Sequence, residues 1–456
     1  MQDEDALREV AKDCVHCGFC LPACPTYQLW AEEMDSPRGR IYLVNQILDG
    51  ASLTATAAEH FDRCLGCMAC MTACPSGVQY DQLIEAARVW TEEARQGGTG
   101  GRPGGFGGMA SPQEQGGSGG DRPPGGNSVR DRAARAAIFS LFPYPRRLRA
   151  LTAPLRTVQR TGLDRRLARS GLPGRVSPVL GAALRLAPPG VSAAAARPLP
   201  ERVPAFGTRR AVVGMLTGCV QSVFFPQVNA ATARVLAAEG CDVIIPRGQG
   251  CCGALSLHSG REAEAAGFAR RTIARFEQAG VDAVVVNSAG CGSAMKEYER
   301  LLAGAGTGWA ERAAEMSGKV RDLAEFLAEI GPAARRHPLP VTAAYHDACH
   351  LAHAQRITRQ PRELLRAIPG LTLAEVPDAG TCCGSAGVYN LLQPEAASEL
   401  GARKAESVLA TGAPLLISAN PGCSLQIASA LAARGEHIAV AHTAEVLDAS
   451  IRGRPL

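Results

Sequence analysis

Hydrophobic residues in the second half of the chain form short runs instead of long stripes. Each run holds five or six residues, and stretches with helical spacing of apolar positions separate the runs. Alternation of this kind is the pattern of an open α/β layer. The six predicted strands lie at 211–216, 242–246, 282–287, 341–345, 371–376 and 415–419.

The beginning of the chain carries helical stripes and no such runs. Ser36 followed by Pro37 predicts a helix start, and Gly50 predicts the end of that helix. A second apolar stripe runs from Tyr80 to Trp90. The pattern predicts helices whose apolar sides form a core.

Composition divides the chain further. Residues 97–126 hold fourteen of the fifty glycines, which is typical of a flexible linker. Residues 129–188 contain thirteen arginines and two aspartates, which gives this segment a net charge of 13 − 2 = +11. Such a basic amphipathic stretch fits an anionic membrane surface, an acidic partner or a plain interdomain connector, and we leave these readings open. The predicted segments are an α-helical ferredoxin head (1–95), a Gly-rich linker (96–128), an Arg-rich helical connector (129–205), a first repeat (206–335) and a second repeat (336–456).

The two repeats share a cysteine pattern. Cysteines of the first recur in the second at offsets of 130, 131 and 132 residues, and each copy contains Cys-Cys-Gly. A regular offset that carries the same chemistry predicts tandem homologous α/β domains. Neighbouring cysteines favour two ligands delivered from one loop to one metal site, and the glycine permits close backbone approach or positive φ. The sets are Cys219, Cys251, Cys252 and Cys291 (repeat site 1) and Cys349, Cys382, Cys383 and Cys423 (repeat site 2).

The head contains two copies of another cysteine motif. The strings 14-CVHCGFCLPACP-25 and 64-CLGCMACMTACP-75 share the spacing C-x-x-C-x-x-C-x-x-x-C-P. Three such thiolates hold one [4Fe–4S] cluster, and in the bacterial two-cluster arrangement the fourth cysteine ligates the other cluster. Structural zinc is the alternative, although zinc sites typically use two separated C-x-x-C pairs. The predicted sets are Cys14, Cys17, Cys20 and Cys74 (head site 1) and Cys64, Cys67, Cys70 and Cys24 (head site 2).

Composition limits the other functions. Seventeen cysteines in a chain of 456 residues favour metal ligation in a reducing compartment over a disulfide scaffold. A net charge of +5, 5% aromatic residues and only four lysines offer little for binding nucleic acid. With neither a secretory signal nor an apolar span in the sequence, we expect a cytoplasmic protein, soluble or peripheral on the inner face of the membrane.

Three histidines are further candidates. His346 and His350, which flank Cys349, have the i, i+4 spacing of a helix and could bind metal or relay protons to a quinone. The favoured interpretation is that they hydrogen-bond the cysteine ligands and orient them. His258, near the first Cys-Cys-Gly, is assigned the same role.

Several strings resemble a known family. These are 24-CPTYQL-29, 36-SPRGRIYL-43, 345-YHDACHLAHAQ-355 and 382-CCGSAGVYNLLQP-394. They resemble the cysteine-rich-domain proteins related to heterodisulfide reductase and, within that group, the iron–sulfur subunits of bacterial glycolate oxidase. The likeness covers the head and both repeats but not the linker or the connector.

The resemblance implies a chain that carries electrons. It would take them from FAD-containing subunits that oxidise glycolate to glyoxylate and pass them toward a membrane quinone, as part of an acceptor-dependent glycolate dehydrogenase. Two [4Fe–4S] clusters are implied in the head, and additional clusters in the repeats stay open. No G-x-G-x-x-G follows a predicted strand, so we expect no substrate oxidation by this chain alone and assign no catalytic residue.

One departure from heterodisulfide reductase bears on the alternatives. The last cysteine of each domain in that enzyme belongs to a C-x-x-C pair, whereas here the matching strings are 291-CGSA-294 and 423-CSLQ-426. A fifth thiolate is missing in both copies, which disfavours disulfide chemistry. The alternatives are an iron–sulfur subunit for glycerol-3-phosphate or lactate oxidation, and a thiol–disulfide enzyme.

Overall fold

A computed structural model of the chain describes residues 4–96, 129–162, 177–187, 199–306 and 308–456, with a few single residues between 162 and 177. Residues 97–128 of the predicted linker lie outside the described residues. Among the described residues, no helix combines the length and the apolar character that crossing a bilayer requires.

Residues 4–96 form helices and contain no strand. Ser36 caps the helix that follows it, because its hydroxyl accepts a hydrogen bond from the backbone N–H of Gly39 at 3.0 Å. Both predicted helices of the head are therefore confirmed, and Leu83 and Ile84 of the second are fully buried. The α-helices are Glu4–Lys12, Pro25–Trp30, Pro37–Leu48, Ala55–Arg63, Ala69–Ala73 and Tyr80–Arg95, with a 3₁₀ turn at Glu33–Asp35.

Each repeat contains one sheet, and the four parallel strands have the same order in both sheets. The first has the order β1-β3-β2-β4-β5 and is parallel except for β1; the second has the order β7-β6-β8-β9 and is parallel throughout. The strands are β1 (Arg202–Val203), β2 (Ala211–Met215), β3 (Cys241–Ile244), β4 (Ala283–Val286), β5 (Val320–Asp322), β6 (Val341–His346), β7 (Leu371–Glu375), β8 (Leu415–Ser418) and β9 (Ala439–Ala441).

All six predicted strands are present, within about two residues of their predicted ends. The sequence pattern missed β1, β5 and β9, which have only two or three residues each and are too short to show a periodicity. The register is the same in both sheets, since β2 pairs Val213 with Ala283 as β6 pairs Ala343 with Leu415. The repeats are thus two copies of one α/β unit.

Helices cover the sheets and connect them to the head. The connector contributes Val129–Leu141, Pro145–Arg160 and Pro178–Leu186. The first repeat has Val220–Phe224, Pro226–Ala238, Ala254–Leu257, Glu262–Ala279, Ala289–Lys296, Tyr298–Leu302, Trp309–Lys319 and Leu323–Ile330. The second has a π-helix at His350–Ala354 and α-helices at Arg359–Arg366, Tyr389–Leu392, Pro394–Leu409, Pro421–Ala433 and Thr443–Arg452.

The two repeats share one hydrophobic core. Buried residues of both sheets, such as Val213 and Tyr345, belong to the same cluster. Around it, Arg234 of the first repeat donates two hydrogen bonds to the carboxylate of Asp448 of the second, at 2.9 and 2.7 Å. The repeats therefore form one packed body.

His442 is a buried polar contact between the repeats. Its Nε2–H donates to the carbonyl of Asn287 at 2.9 Å, and its Nδ1 accepts from the backbone N–H of Ala444 at 3.0 Å. The first hydrogen bond crosses between repeats and the second caps the last helix. Because Nδ1 is an acceptor, the ring must be neutral, and burial lowers the pKa of His442 from 6.5 to about 4.

We predict that this histidine makes stability depend on pH. A folded-state pKa below the unfolded value means that the unfolded chain binds the proton first, so stability is complete above pH 6.5 and falls as the pH drops toward 4, by roughly 1 kcal/mol per pH unit. His442→Asn, which keeps a capping side chain but cannot titrate, should have a smaller loss. The measurement is the melting temperature of both proteins between pH 5 and 8.

The exposed His437 provides the control, since His437→Asn should leave the wild-type pH dependence unchanged. Equal pH dependence of the wild type and His442→Asn would contradict the assignment.

Candidate functional site

The head brings its eight motif cysteines together in two groups. One cavity is lined by all of head site 1 and a second by all of head site 2, and Cys70 lies on both. Cys24 thus lies beside the cysteines of the distant motif, and Cys74 beside those of the first. The structure thus brings each predicted set together, and the ligation of a cluster by each set stays a prediction.

The two motif loops have the same backbone shape. The residues directly before and after the second cysteine of each motif lie in the left-handed region, at His16 and Gly18 in one loop and Gly66 and Met68 in the other. A loop with repeated left-handed residues turns tightly enough to point several cysteines inward. His16, which the sequence treated as a spacer, therefore has a conformational role.

Head site 2 is surrounded by buried positive charge. The guanidinium of Arg40 is fully buried and donates to the carbonyl of His60 at 2.7 Å and to the hydroxyl of Thr26 at 3.1 Å. Burial on its own would raise the pKa of the Cys64 thiol, but the guanidinium groups of Arg40 and Arg88 bring that pKa below its ordinary value. The surroundings of Cys64 therefore favour a thiolate.

Asp35 balances part of this charge. It is fully buried, and its carboxylate contacts Arg40 at 3.2 Å, His60 at 2.9 Å and Arg63 at 2.9 Å. Breaking such a buried network by removing one partner leaves an unpaired charge. The network fixes the helix that follows Ser36 against the helix that precedes Cys64.

All cysteines of the repeat sites follow the carboxyl ends of parallel strands. Because these ends meet at the same edge of each sheet, four cysteines converge in each repeat. In repeat site 1 the sulfur atoms of Cys219 and Cys251 are 3.7 Å apart. Hydrogen bonds from Cys251 and Cys291 hold the pKa of Cys252 well below its ordinary value. Cys252 therefore lies between two thiols that donate to its sulfur.

The glycine after each cysteine pair is required by both conformation and space. Gly253 and Gly384 have φ of +94° and +86°. A Cβ on Gly253 would lie 3.0 Å from the carbonyl oxygen of Ala265, and one on Gly384 would lie 2.7 Å from that of Ala397. The glycines let each cysteine loop approach the next long helix, as the sequence predicted.

Repeat site 2 has additional polar neighbours. Hydrogen bonds from Cys382 and Cys423 lower the pKa of Cys383, and the Asn420 side chain donates to the sulfur of Cys423 at 3.3 Å. Lys404, one of only four lysines, is 2% exposed and donates to the carbonyl of Asp378 at 2.8 Å. Lys404 is not among the predicted site residues; a lysine within an apolar helical stripe is the feature of the sequence that marks it.

The helical spacing inferred for two histidines is wrong. His346 is the last residue of strand β6, and the π-helix begins only at His350. His346 lies beside Cys383 and Cys423, with its nearest ring nitrogen and both sulfur atoms all within 4.8 Å of one another. His350 instead contacts Cys349, with Nδ1 3.6 Å from the sulfur. The two rings therefore face different cysteines of repeat site 2.

His258 connects the head with the second repeat through His350. Their ring centroids are 4.9 Å apart, and Nδ1 of His258 lies 3.6 Å from the carboxylate of Glu85 in the head. Arg300 reaches Glu85 at 2.7 Å and Glu297 at 2.9 Å, while burial raises the pKa of Glu297 to about 7. His258 thus lies in a buried ionisable network, and its assignment as a residue that orients a cysteine ligand stays a prediction.

Head site 2 packs directly against repeat site 2. Cys67 belongs to the same buried cluster as Cys349 and Cys382, and the ring of Tyr389 joins them. The Tyr389 hydroxyl donates to the carbonyl of Arg63 at 3.1 Å, and the Thr72 hydroxyl lies 2.9 Å from Nδ1 of His353. The spacing of the cysteines along the sequence did not indicate that the head contacts the second repeat.

Both repeat sites open into one cavity of about 570 Å³. Its walls are mainly apolar; both repeats supply most of them, and the connector helices contribute several leucines. Two cysteines of repeat site 1 and all four of repeat site 2 line it, as do His258 and His350. The apolar wall residues include Leu141, Phe142, Leu148, Leu151, Leu180, Leu184 and Leu186.

The donor sets suit iron–sulfur groups. Each of the four sites offers four thiols, the ligands that such clusters use. The guanidinium of Arg40 at head site 2 and the ammonium of Lys404 near repeat site 2 offset the negative charge that thiolates bring. Cys241, by contrast, is fully buried within β3 away from these sites, as expected for a small core residue.

The head, the connector and both repeats match known protein families. Residues 10–78 match the 4Fe-4S dicluster domain, and residues 213–296 and 343–428 match the cysteine-rich domain. Iron–sulfur clusters are thereby indicated. Residues 130–187 match the linker region of glycolate oxidase iron-sulfur subunits. The connector, which the sequence analysis left outside the resemblance, is therefore part of it.

Curated relatives extend over nearly the whole chain. This chain is 35% identical over 422 residues to the probable glycolate oxidase iron-sulfur subunit of Bacillus subtilis, and the match covers 91% of this chain and 88% of that protein. The glycolate oxidase iron-sulfur subunit of Escherichia coli is 34% identical over 431 residues, covering 92% and 90%. Lactate utilization protein A of Shouchella clausii is 33% identical over 242 residues, covering 52% of this chain and 98% of that protein.

A solved structure shares the fold. The crystal structure of a hypothetical protein from Helicobacter pylori superposes with a TM-score of 0.51 at 10% sequence identity, over 99% of this chain and 77% of that chain. At this identity the likeness concerns the fold alone. The two relatives that cover nine-tenths of the sequence, together with the matched head, connector and repeats, show that this chain belongs to the family of glycolate oxidase iron–sulfur subunits.

Proposed function

We propose that this chain is the electron-transfer subunit of a glycolate oxidase complex. It relays electrons from FAD-containing subunits, which oxidise glycolate to glyoxylate, toward a membrane quinone. The observation that carries the proposal is the contact between Cys67 of head site 2 and Cys349 of repeat site 2. That contact joins the cysteine sites of the head to those of the repeats.

The metal ligands are part of the proposal. Head site 1 and head site 2 each hold one [4Fe–4S] cluster, with Cys24 and Cys74 each serving the motif to which they do not belong. The repeat sites hold further iron–sulfur groups on their four cysteines. The division into head, linker, connector and two repeats, with the boundaries given above, corresponds to these roles.

The electron and proton balance of the reaction suits such a chain. Oxidation of glycolate to glyoxylate releases two electrons and two protons, and reduction of a quinone to a quinol takes up two of each. Bound iron–sulfur clusters supply one-electron oxidation and reduction. No residue of this chain needs to contact glycolate.

The interface between head and second repeat excludes water from the electron path. Leu65 of the head and Tyr389 and Leu400 of the second repeat surround the contact of the cysteines and are at most 7% exposed. A dry, apolar environment keeps the local dielectric low and fixes the distance between sites. The buried Arg40 network holds the head side of this interface in place.

The apolar cavity suits the quinone. Its volume of about 570 Å³ falls within the range of pockets that bind small molecules, and such pockets combine apolar walls with a few polar groups. Here those groups are His258 and His350, and the Nε2 atom of each has no hydrogen-bond partner within the described residues. The ring nitrogens are suited to bind the carbonyl oxygens of a quinone.

The mouth of this cavity has the character of a membrane-facing surface. Leu151 and Leu180 line it and are 48% and 47% exposed. Arg146, Arg147 and Arg149 are exposed on the helix that carries Leu151. Apolar residues flanked by arginines favour the surface of an anionic membrane, which is the source of the quinone. Because its cysteines must be reduced to bind metal, we place the chain on the cytoplasmic side of that membrane.

The relay is tested on the complex purified anaerobically with its flavoprotein subunits. We expect brown protein with iron and acid-labile sulfide exceeding two [4Fe–4S] clusters per chain, and glycolate should produce the electron paramagnetic resonance signals of reduced clusters. Iron-free protein would overturn the proposal. Reduction by lactate or glycerol 3-phosphate but not by glycolate would favour those substrates, and thiol–disulfide turnover without flavoprotein would favour a disulfide reductase.

We predict that the fourth cysteine of each motif serves the distant site. Cys24→Ser should remove the same spectral signal as Cys67→Ser and leave the signal that Cys17→Ser removes, because Cys24 lines the cavity of head site 2. Cys74→Ser should show the reverse pattern. Electron paramagnetic resonance of the reduced proteins and their iron content provide the comparison.

The buried Cys241 serves as the control, and Cys241→Ser should keep both signals. Loss in Cys24→Ser of only the signal assigned to head site 1 would show that each motif ligates its own cluster.

We predict that filling the cavity blocks quinone reduction. Ala183 lines the cavity from the connector helix 178–186, so the indole of Ala183→Trp should occupy it. Glycolate-dependent quinone reduction should fall by about tenfold, the effect of losing about 1.4 kcal/mol of binding. Reduction of a dye that takes electrons from the flavoprotein should continue.

Ala150 is exposed on helix 145–160 and does not line the cavity, so Ala150→Trp provides the matched control. An equal effect of both substitutions on quinone reduction, or none from Ala183→Trp, would place the quinone elsewhere.

A further inference from the structure

The two repeat sites differ at the end of the central strand of each sheet. The shared register puts His346, the last residue of β6, at the place where the first repeat has Leu216, directly after β2. Strand β8 pairs Ser418 with His346, and continuing the same register in the first repeat places Val286 opposite Leu216. A buried apolar pair in the first repeat is therefore replaced by a buried polar pair in the second.

Both polar residues lack ordinary partners. His346 is 1% exposed and Ser418 fully buried, and within the described residues neither ring nitrogen of His346 nor the Ser418 hydroxyl makes a hydrogen bond of normal geometry. Leaving a buried polar atom unpaired costs about 1–3 kcal/mol. Such atoms in a folded protein call for a ligand or a function.

The surroundings of His346 identify the ligand. Its nearest ring nitrogen and the sulfur atoms of Cys383 and Cys423 all lie within 4.8 Å of one another, and all three residues are buried. An imidazole that only oriented a cysteine ligand would donate its other nitrogen to a carbonyl or carboxylate, as supporting histidines do. His346 has no such acceptor, whereas the hydroxyl of Ser418 on the paired strand is available to its second nitrogen.

We propose that His346 is an iron ligand at repeat site 2, through one ring nitrogen, while Ser418 hydrogen-bonds the other nitrogen. The proposal rests on the proposed iron–sulfur group at that site. Repeat site 2 then has four thiolates and one imidazole, whereas repeat site 1 has four thiolates and the apolar Leu216. The role inferred from the sequence, in which His346 orients a ligand, is replaced by direct binding.

The extra ligand makes the two repeat sites unequal in redox terms. Ligand identity and net charge are among the factors that set the reduction potential of an iron–sulfur centre, and an imidazole added to four thiolates leaves their negative charge unchanged. Helices 262–279 and 394–409 correspond at an offset of 132 residues, which places Thr272 where the second repeat has Lys404. The ammonium of Lys404 lies near Cys382 and Cys383 and favours the reduced state of repeat site 2. We expect repeat site 2 to have the higher potential and to hold electrons next to the cavity.

Pulsed electron paramagnetic resonance on the reduced, full-length protein tests this ligation. The signal of repeat site 2 is first identified as the one that Cys382→Ser removes. We expect it to carry the coupling of a directly bound ¹⁴N nucleus, and growth with ¹⁵N-labelled histidine should change that coupling in the unmutated chain. His346→Gln should abolish the coupling and leave the signals of the head unchanged.

His350→Gln is the matched control, because His350 contacts Cys349 and should not supply the coupled nitrogen. Three results would overturn the proposal: no bound ¹⁴N, a coupling lost in His350→Gln and kept in His346→Gln, or zinc instead of iron at repeat site 2. A failure here with intact reduction of the head by glycolate leaves the proposed electron relay standing. Loss of reduction in the head would count against the relay instead.

Discussion

The structure depends on keeping many thiols close together in a protein interior. Sixteen of the seventeen cysteines converge in four groups, and most of them are buried. Thiolates in such surroundings repel one another and lose their hydration, so positive charge has to compensate them. Arg40 and Arg88 provide that charge at head site 2 and Lys404 near repeat site 2, and bound metal would provide the rest. The buried network around Asp35 follows from the same requirement.

Duplication gave the protein two equal scaffolds whose sites have diverged. Strand order, register and the glycine after each cysteine pair are shared by both repeats, because each is needed to bring four cysteines to one sheet edge. Side chains beside the cysteines are not needed for that geometry, so they were free to change. The exchange of Leu216 for His346 and of Thr272 for Lys404 altered the chemistry of one copy without altering its fold.

Contacts between the head, the connector and the two repeats hold the cysteine sites in fixed positions relative to one another. The head rests on the second repeat through Cys67 and Tyr389, and on the first through Glu85 and Arg300. The connector contributes apolar wall residues to the cavity into which both repeat sites open. Its match to the family's linker region agrees with a role in the site, beyond that of a spacer between domains.

The sequence by itself determined the helix that starts after Ser36, six strands of the repeats, and the position of Cys24 and Cys74 beside the cysteines of the opposite motif, because periodicity, capping and cysteine spacing are local properties of a chain. It misplaced His346 in a helix and gave no sign that Arg40 is buried or that Cys67 meets Cys349. Only the tertiary structure decided these features, since burial and contact between distant segments depend on how the sheets and helices pack and leave no periodic trace in the residues involved.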